Sequence, residues 1–264
     1  MIIDFHNHAF PDSLAPRAIE SLVRSCNGIY PPCSDGTIKG LIHNMDMWGI
    51  SKAVLLPVIT KQSQTETLNL WASQCASDRI IPFGGVYAHT DDYKRDIDYI
   101  SSLGIVGLKF HPEYQNFYVN DPKMFNIYDY ALSKGLILLF HSGFDPAFKA
   151  PFHSSAKMYA EIEHVFGGGK VILAHLGAQE QQDEVEKYLC GTNYYFDTSM
   201  GFEHYTSDQF ERIVKAHGAE KILFASDSPW SVAKDEIAAL KKTSLTDMEK
   251  EMIFHINAEK LLGI

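Results

Sequence analysis

Eight short apolar runs, each followed by a stretch of helical spacing, constrain this chain more than any other feature. The runs are Ile2–His6, Ala53–Pro57, Ile80–Tyr87, Ile105–His111, Leu136–His141, Val171–His175, Tyr194–Thr198 and Ile222–Asp227. They are rich in Val, Ile, Leu and Phe with few polar interruptions, as strands of a parallel sheet covered on both faces should be. Helices are predicted over Ile38–Trp48, Gln64–Ser77, Tyr93–Leu103, Pro122–Lys134, Ser155–Phe166, Gln181–Leu189, Ser207–His217, Lys234–Lys241 and Thr246–Leu262. Pro122 suits a first helical turn, and Gly104, Gly135 and Gly218 stand where helices stop. A chain of 264 residues has the size of one such barrel, typically about 250 residues. The expected fold is α/β, a single (β/α)8 TIM barrel over residues 1–264 with no internal linker. Ser25–Asp35, with Pro31 and Pro32, reads as an elaborated loop between the first strand and its helix.

In a barrel of this kind the active site lies at the C-terminal ends of the strands. Here those ends carry His6 and His8, Lys109 and His111, His141, His175 and Asp227. Side chains on a strand alternate faces, so His6 and His8 share one face, as do Lys109 and His111. Phe5 and Phe110 are expected to point the other way, towards the covering helices. Two imidazoles on one strand, a third from another and a carboxylate make a site for Zn2+ or a similar divalent ion. Asp227 can hold such an ion through one oxygen and accept a proton with the other, while His175 is placed to polarise a carbonyl. Lys109 has three readings: an ammonium for an anionic substrate group, a CO2-carboxylated bridging ligand, or, more weakly, a Schiff-base lysine. His111, His89 and Trp230 are expected to touch substrate, His89 because it follows the third run and Trp230 because it follows Asp227.

The runs MIIDFHNHAFPD, GLKFHP, LLFHSG, VILAHLG and FASDSPW together resemble the first, fourth, fifth, sixth and eighth strands of the amidohydrolase superfamily, in the branch called amidohydrolase family two. The resemblance spans the chain from Asp4 to Asp227. It implies a metal held by His6, His8, His141 and Asp227, with His175 catalytic or a ligand of a second ion. Lys109 is similar to the bridging lysine of binuclear relatives. The implied activity is metal-dependent hydrolysis of a small-molecule amide, lactone or ester. A lyase that decarboxylates or hydrates a small unsaturated or aromatic acid is the alternative, and a catalytically silent metal-binding scaffold is the third reading. The cofactor is a divalent ion, Zn2+ foremost, in one copy or two.

Charge and composition narrow the partners. A formal net charge of −10 repels nucleic-acid backbones and anionic membranes. No apolar stretch approaches the ~20 residues that span a bilayer, and Met1–Phe10 lacks the basic start and apolar run of a signal peptide. The expectation is a cytoplasmic enzyme of a small-molecule substrate, with apolar helical faces that leave room for a homodimer. Cys26, Cys33, Cys75 and Cys190 form no CxxC pair and read as free thiols.

Overall fold

The computed structural model describes all of Met1–Ile264. Each of the eight apolar runs contains a strand: β1 (Ile3–Asn7), β2 (Lys52–Leu55), β3 (Ile80–Pro82), β4 (Gly107–Phe110), β5 (Ile137–Phe140), β6 (Val171–Leu173), β7 (Tyr195–Asp197) and β8 (Ile222–Leu223). All neighbours pair in parallel and in chain order, as one arc of β1 to β3 and another of β4 to β8. Backbone bonds join the two arcs at both seams. At one, Gly84 N–H donates to Gly107 O and Lys109 N–H to Gly84 O, each at 2.8 Å. At the other, Phe5 N–H donates to Phe224 O and Asp227 N–H to His6 O, each at 2.9 Å. The strands thus run round on themselves as a (β/α)8 barrel.

Alternation along the strands sorts the core into two layers. Ala53, Leu55, Leu108, Phe110, Leu138, Phe140, Leu173 and Phe196 pack outward under the helices. Val54, Leu56, Phe83, Leu139, Ile172 and Leu223 fill the interior, and Ala258 and Leu261 of the last helix pack against them. Phe110 faces outward as expected. Phe5 does not: it joins the inner cluster and meets Phe83 edge-on at 5.8 Å. The cause is a register shift between Asp4 and Asn7 in the β1–β2 ladder. A bulge lets consecutive residues share a face, so Phe5 fills the interior while His6 still reaches it one position later.

The helices expected from spacing are present as α2 (Ile38–Trp48), α3 (Thr65–Gln74), α4 (Tyr93–Ser102), α6 (Pro122–Ser133), α7 (Ala156–Ile162), α8 (Gln182–Tyr188), α9 (Ser207–His217) and α10 (Ala233–Lys242). The final segment divides into α11 (Asp247–Glu251), a π-helical turn at Met252–Ile256 and α12 (Asn257–Leu262). Two helices were not foreseen. One is α5 (Pro112–Gln115), a single turn capped by His111; the other is α1 (Ala15–Ser25), which precedes the Pro-rich loop. Only Ala15 of α1 is buried, and Arg17, Ala18, Ser21 and Leu22 of this helix line a cavity. All four cysteines are free. No helix is long and apolar enough to cross a membrane.

His217 shows how a buried titratable group is held by the frame. Its ring stacks on Phe196 of β7 at 3.9 Å, its Nε2–H donates to Tyr194 O at 2.9 Å, and its Nδ1 accepts Gly191 N–H at 3.2 Å. Both nitrogens are thereby committed to the neutral form, and burial pushes the pKa down from 6.5 to about 4. A depressed histidine adds stability above its unfolded pKa and loses it as pH falls through the folded one. Between pH 6.5 and 4 this single residue should therefore cost up to ~3 kcal/mol. Urea melts of wild type and His217→Asn at pH 8 and pH 5 check this: the variant should be less stable at pH 8 and lose less on acidification. An equal loss in both proteins would show that His217 does not carry the acid sensitivity.

Candidate metal centre

The strand ends converge at the floor of a cavity of about 570 Å³. His6, His8, Lys109, His111, His141, His175, Asp227 and Trp230 all line it. His89 does not. Its Nε2 faces the carbonyls of Gln115 and Asn116 at 3.0 and 3.1 Å, on the outer side of the loop after β4. β3 ends at Pro82, seven residues before His89, so following the third run does not bring His89 to the strand end. Tyr114 reaches the cavity, whereas Glu113 turns away to accept His153 N–H at 2.6 Å.

The ring nitrogens divide into those already committed and those left free. His6 Nδ1–H donates to Asp197 Oδ2 at 2.9 Å, and His8 Nδ1–H to Leu56 O at 2.8 Å. Each ring then presents a lone pair on Nε2. These two atoms lie 3.2 Å apart, and Asp227 Oδ1 sits 3.5 Å from His6 Nε2 and 3.2 Å from His8 Nε2. Asp227 Oδ1 is buried and has no hydrogen-bond donor. Two nitrogens on one tetrahedral ion with Zn–N near 2.05 Å stand about 3.3 Å apart, close to what His6 and His8 show. The donor set therefore fits a divalent ion.

His175 and His141 make a second convergent pair, with Nε2 and Nδ1 3.0 Å apart and rings inclined at 66°. Ser199 Oγ donates to Asp197 Oδ1, so both Ser199 oxygens near His175 Nδ1, at 2.9 and 3.1 Å, act as acceptors. The proton of His175 is thus on Nδ1, and its Nε2 carries a lone pair. That suits a metal ligand better than the oxyanion donor expected from sequence. His141 is set against His175 and apart from the cluster of His6, His8 and Asp227 with which the sequence grouped it.

His111, His141 and Asp145 also bring donor atoms within 4.8 Å of one another. The rings of His111 and His141, however, stack in parallel, 4.1 Å apart at 6°. A ligating imidazole keeps its ion in the ring plane, and two parallel planes this far apart share no such position. The cluster is better described as a close pair, with His111 Nε2 3.3 Å from Asp145 Oδ2.

Burial governs the charges here. It holds His6, His111 and His141 well below the ordinary imidazole value, and lowers His175 as well. All four are thereby held in the neutral form. Burial pushes the Asp227 carboxyl up, and positive charge on His6 and His8 beside it would pull it down. Lys109 is fully buried, and burial lowers its amine to about 8 against the pull of Asp227, Asp197 and Asp145. Its Nζ lies 3.0 Å from His6 Nε2, and no carboxylate comes within ion-pair distance of it.

Asp197 was not singled out from sequence. It belongs to β7, pairs with Leu223 on the inner face, and takes His6 Nδ1–H, His175 N–H, Ser199 N–H and Ser199 Oγ–H. The available signal was an acid in the middle of an apolar run.

The family model described as amidohydrolase matches residues 3–264. No curated protein matches the chain. Solved structures of similar fold include a TIM-barrel protein from Bordetella bronchiseptica, 19% identical with TM-score 0.76 over 99% of this chain and 98% of that one. Another is 5-carboxyvanillate decarboxylase from Novosphingobium aromaticivorans with manganese and a nitrobenzoic acid, 16% identical with TM-score 0.74 over 100% and 96%. A third is a probable 2-pyrone-4,6-dicarboxylic acid hydrolase from Acinetobacter baumannii with citric acid, 19% identical with TM-score 0.69 over 100% and 99%.

If Asp197 fixes the ring of His6, Asp197→Asn should weaken metal affinity by about 10- to 100-fold while leaving the far-UV circular dichroism unchanged. Competition against a chromogenic chelator measures it, and unchanged affinity would remove Asp197 from the site.

Proposed function

The chain belongs to the amidohydrolase family, and from that premise we propose that it is a metal-dependent hydrolase of a small-molecule amide, lactone or ester. The observation that carries the reading is the convergence of the His6 and His8 lone pairs with the unpartnered Asp227 Oδ1 at the cavity floor, beside a buried lysine without an acid. In this reading His6, His8 and Asp227 hold one ion. His141 and His175 hold a second, in place of a single ion that would take His141 as its fourth ligand.

Lys109 favours the two-ion form. A buried ammonium 3.0 Å from a ligating imidazole would repel the cation beside it. An amine brought down to about 8 has a neutral fraction that adds to CO2, forms an N–C bond and loses a proton. The product is an anion that suits both groups of donors. Bound metal supplies Lewis acidity, which lowers the pKa of water and polarises a carbonyl. The rest falls to the chain. The second oxygen of ionised Asp227 accepts a proton and returns it to the leaving group. Trp230 and Tyr114 wall the site, and His111, held by Asp145, presents its ring to the cavity.

A second reading, a lyase acting on an aromatic or unsaturated acid, draws on the aromatic cavity wall of Phe10, Tyr30, Trp71, Tyr114, Phe144 and Trp230. Product analysis separates the two: CO2 release or water addition against bond hydrolysis. Asp227→Asn should lower turnover at least ~100-fold with an unchanged melting curve; full activity in this variant would end the assignment. Elemental analysis should find two ions per chain in protein prepared with bicarbonate, and Lys109→Met should reduce the count. One ion in both proteins would return the centre to the mononuclear form.

A further inference from the structure

Two basic side chains line the cavity, Lys109 among the histidines at its floor and Arg17, the one arginine in its wall. Arg17 stands on α1, where Leu14, Arg17, Ala18, Ser21 and Leu22 line the cavity together. Their spacing places them on one helical face, so α1 lies across the opening and presents Arg17 inward from an exposed position. The same helix carries Arg24, which is paired with Glu20 at 2.6 Å. Arg17 makes no ion pair with any acid of the chain, although the protein carries 33 acids against 23 Lys and Arg. The cavity wall also includes the apolar side chains of Phe10, Pro11, Leu14, Leu68 and Trp71.

We propose that Arg17 is a specificity-determining residue that binds an anionic group of the substrate, a carboxylate or phosphate remote from the bond that reacts at the cavity floor. The proposal rests on the metal-dependent reading above and names the substrate class for it. A guanidinium fork matches carboxylate and phosphate oxygens in pairs. In a chain of net charge −10, an unpaired arginine at the entrance also draws an anion that the remaining surface repels. The apolar side chains of the cavity wall fit the body of a small molecule that joins the two polar ends.

Equilibrium binding to the metal-loaded full chain tests this. The probes are the α,ω-dicarboxylates from succinate to suberate, each beside the monocarboxylate of equal length and the corresponding ω-phosphono acid. At one chain length the second anion should tighten binding by about tenfold, the worth of one charge-assisted contact. Arg17→Gln should remove that gain, Arg17→Lys should restore part of it, and Arg24→Gln should leave it intact. Monocarboxylates should bind all four proteins equally. The larger gain, in the carboxylate or the phosphonate series, identifies the anion. A gain that survives in Arg17→Gln, or no gain at any length in wild type, overturns the proposal. Metal content of the same samples keeps the two readings apart. Metal-loaded protein without the gain refutes the role of Arg17 alone, whereas an Arg17-dependent gain in protein that takes up no metal supports it and counts against the metal centre.

Discussion

A hydrogen bond of 2.9 Å from His6 Nδ1 to Asp197 crosses the barrel interior from the first strand to the seventh. The free lone pair of His6 exists because Asp197 takes the proton on the other nitrogen. The other oxygen of Asp197 takes Ser199 Oγ–H and the backbone N–H groups of His175 and Ser199. Through Ser199 it also fixes which nitrogen of His175 is protonated. One carboxylate therefore sets the tautomers of two histidines that stand far apart in sequence. Burying an acid this deeply is costly unless its lone pairs are filled, and four donors fill them.

The same economy runs around the seam between β8 and β1. Asp4, buried and pushed up to about 7 by burial, takes Ser226 Oγ–H at 2.6 Å and Ser226 N–H at 2.9 Å. The strand ladder there is too short to be regular, and side chains complete it. The bulge after Asp4 has a mechanical consequence. It admits Phe5 to the packed interior and, one residue on, lets His6 rise from the same surface. The placing of His6 at the first strand depends on that irregularity and not on simple alternation.

Much of this was legible in the sequence, for physical reasons that can be named. Parallel strands buried on both faces must be apolar, so the eight runs stand out. Barrel chemistry gathers at strand ends, so His6, His8, Lys109, His141, His175 and Asp227 could be read from position alone. What could not be read depended on contacts between distant elements. Asp197 sits 191 residues from His6, and nothing local says that they meet. The partition of His141 towards His175 follows from which nitrogen Ser199 engages. His89 lies outside the cavity wall because β3 ends at Pro82, well before it, and its ring turns to the carbonyls of Gln115 and Asn116. The helix bearing Arg17 was not foreseen although Ala15, Ala18, Ile19, Leu22 and Val23 recur at helical spacing.

The isolated lysine at the floor is the step on which the chemistry turns. Lys109 could be stabilised by an adjacent carboxylate, as buried cations ordinarily are, but Asp227 and Asp197 are each turned to histidines instead. The neighbours of its amine are neutral imidazoles, and a charged ammonium gains little from them. Burial favours the neutral amine, while the charges of Asp227, Asp197 and Asp145 pull towards the ammonium. If Lys109 stayed cationic, the electrostatics would suit an anionic substrate group placed directly on it, as a decarboxylase would require. As a carbamate it would draw both histidine pairs into one centre and leave recognition of an anion to the mouth. The two readings of the reaction thus differ in the charge on one buried nitrogen, and the unpaired arginine at the entrance is the complement of the second.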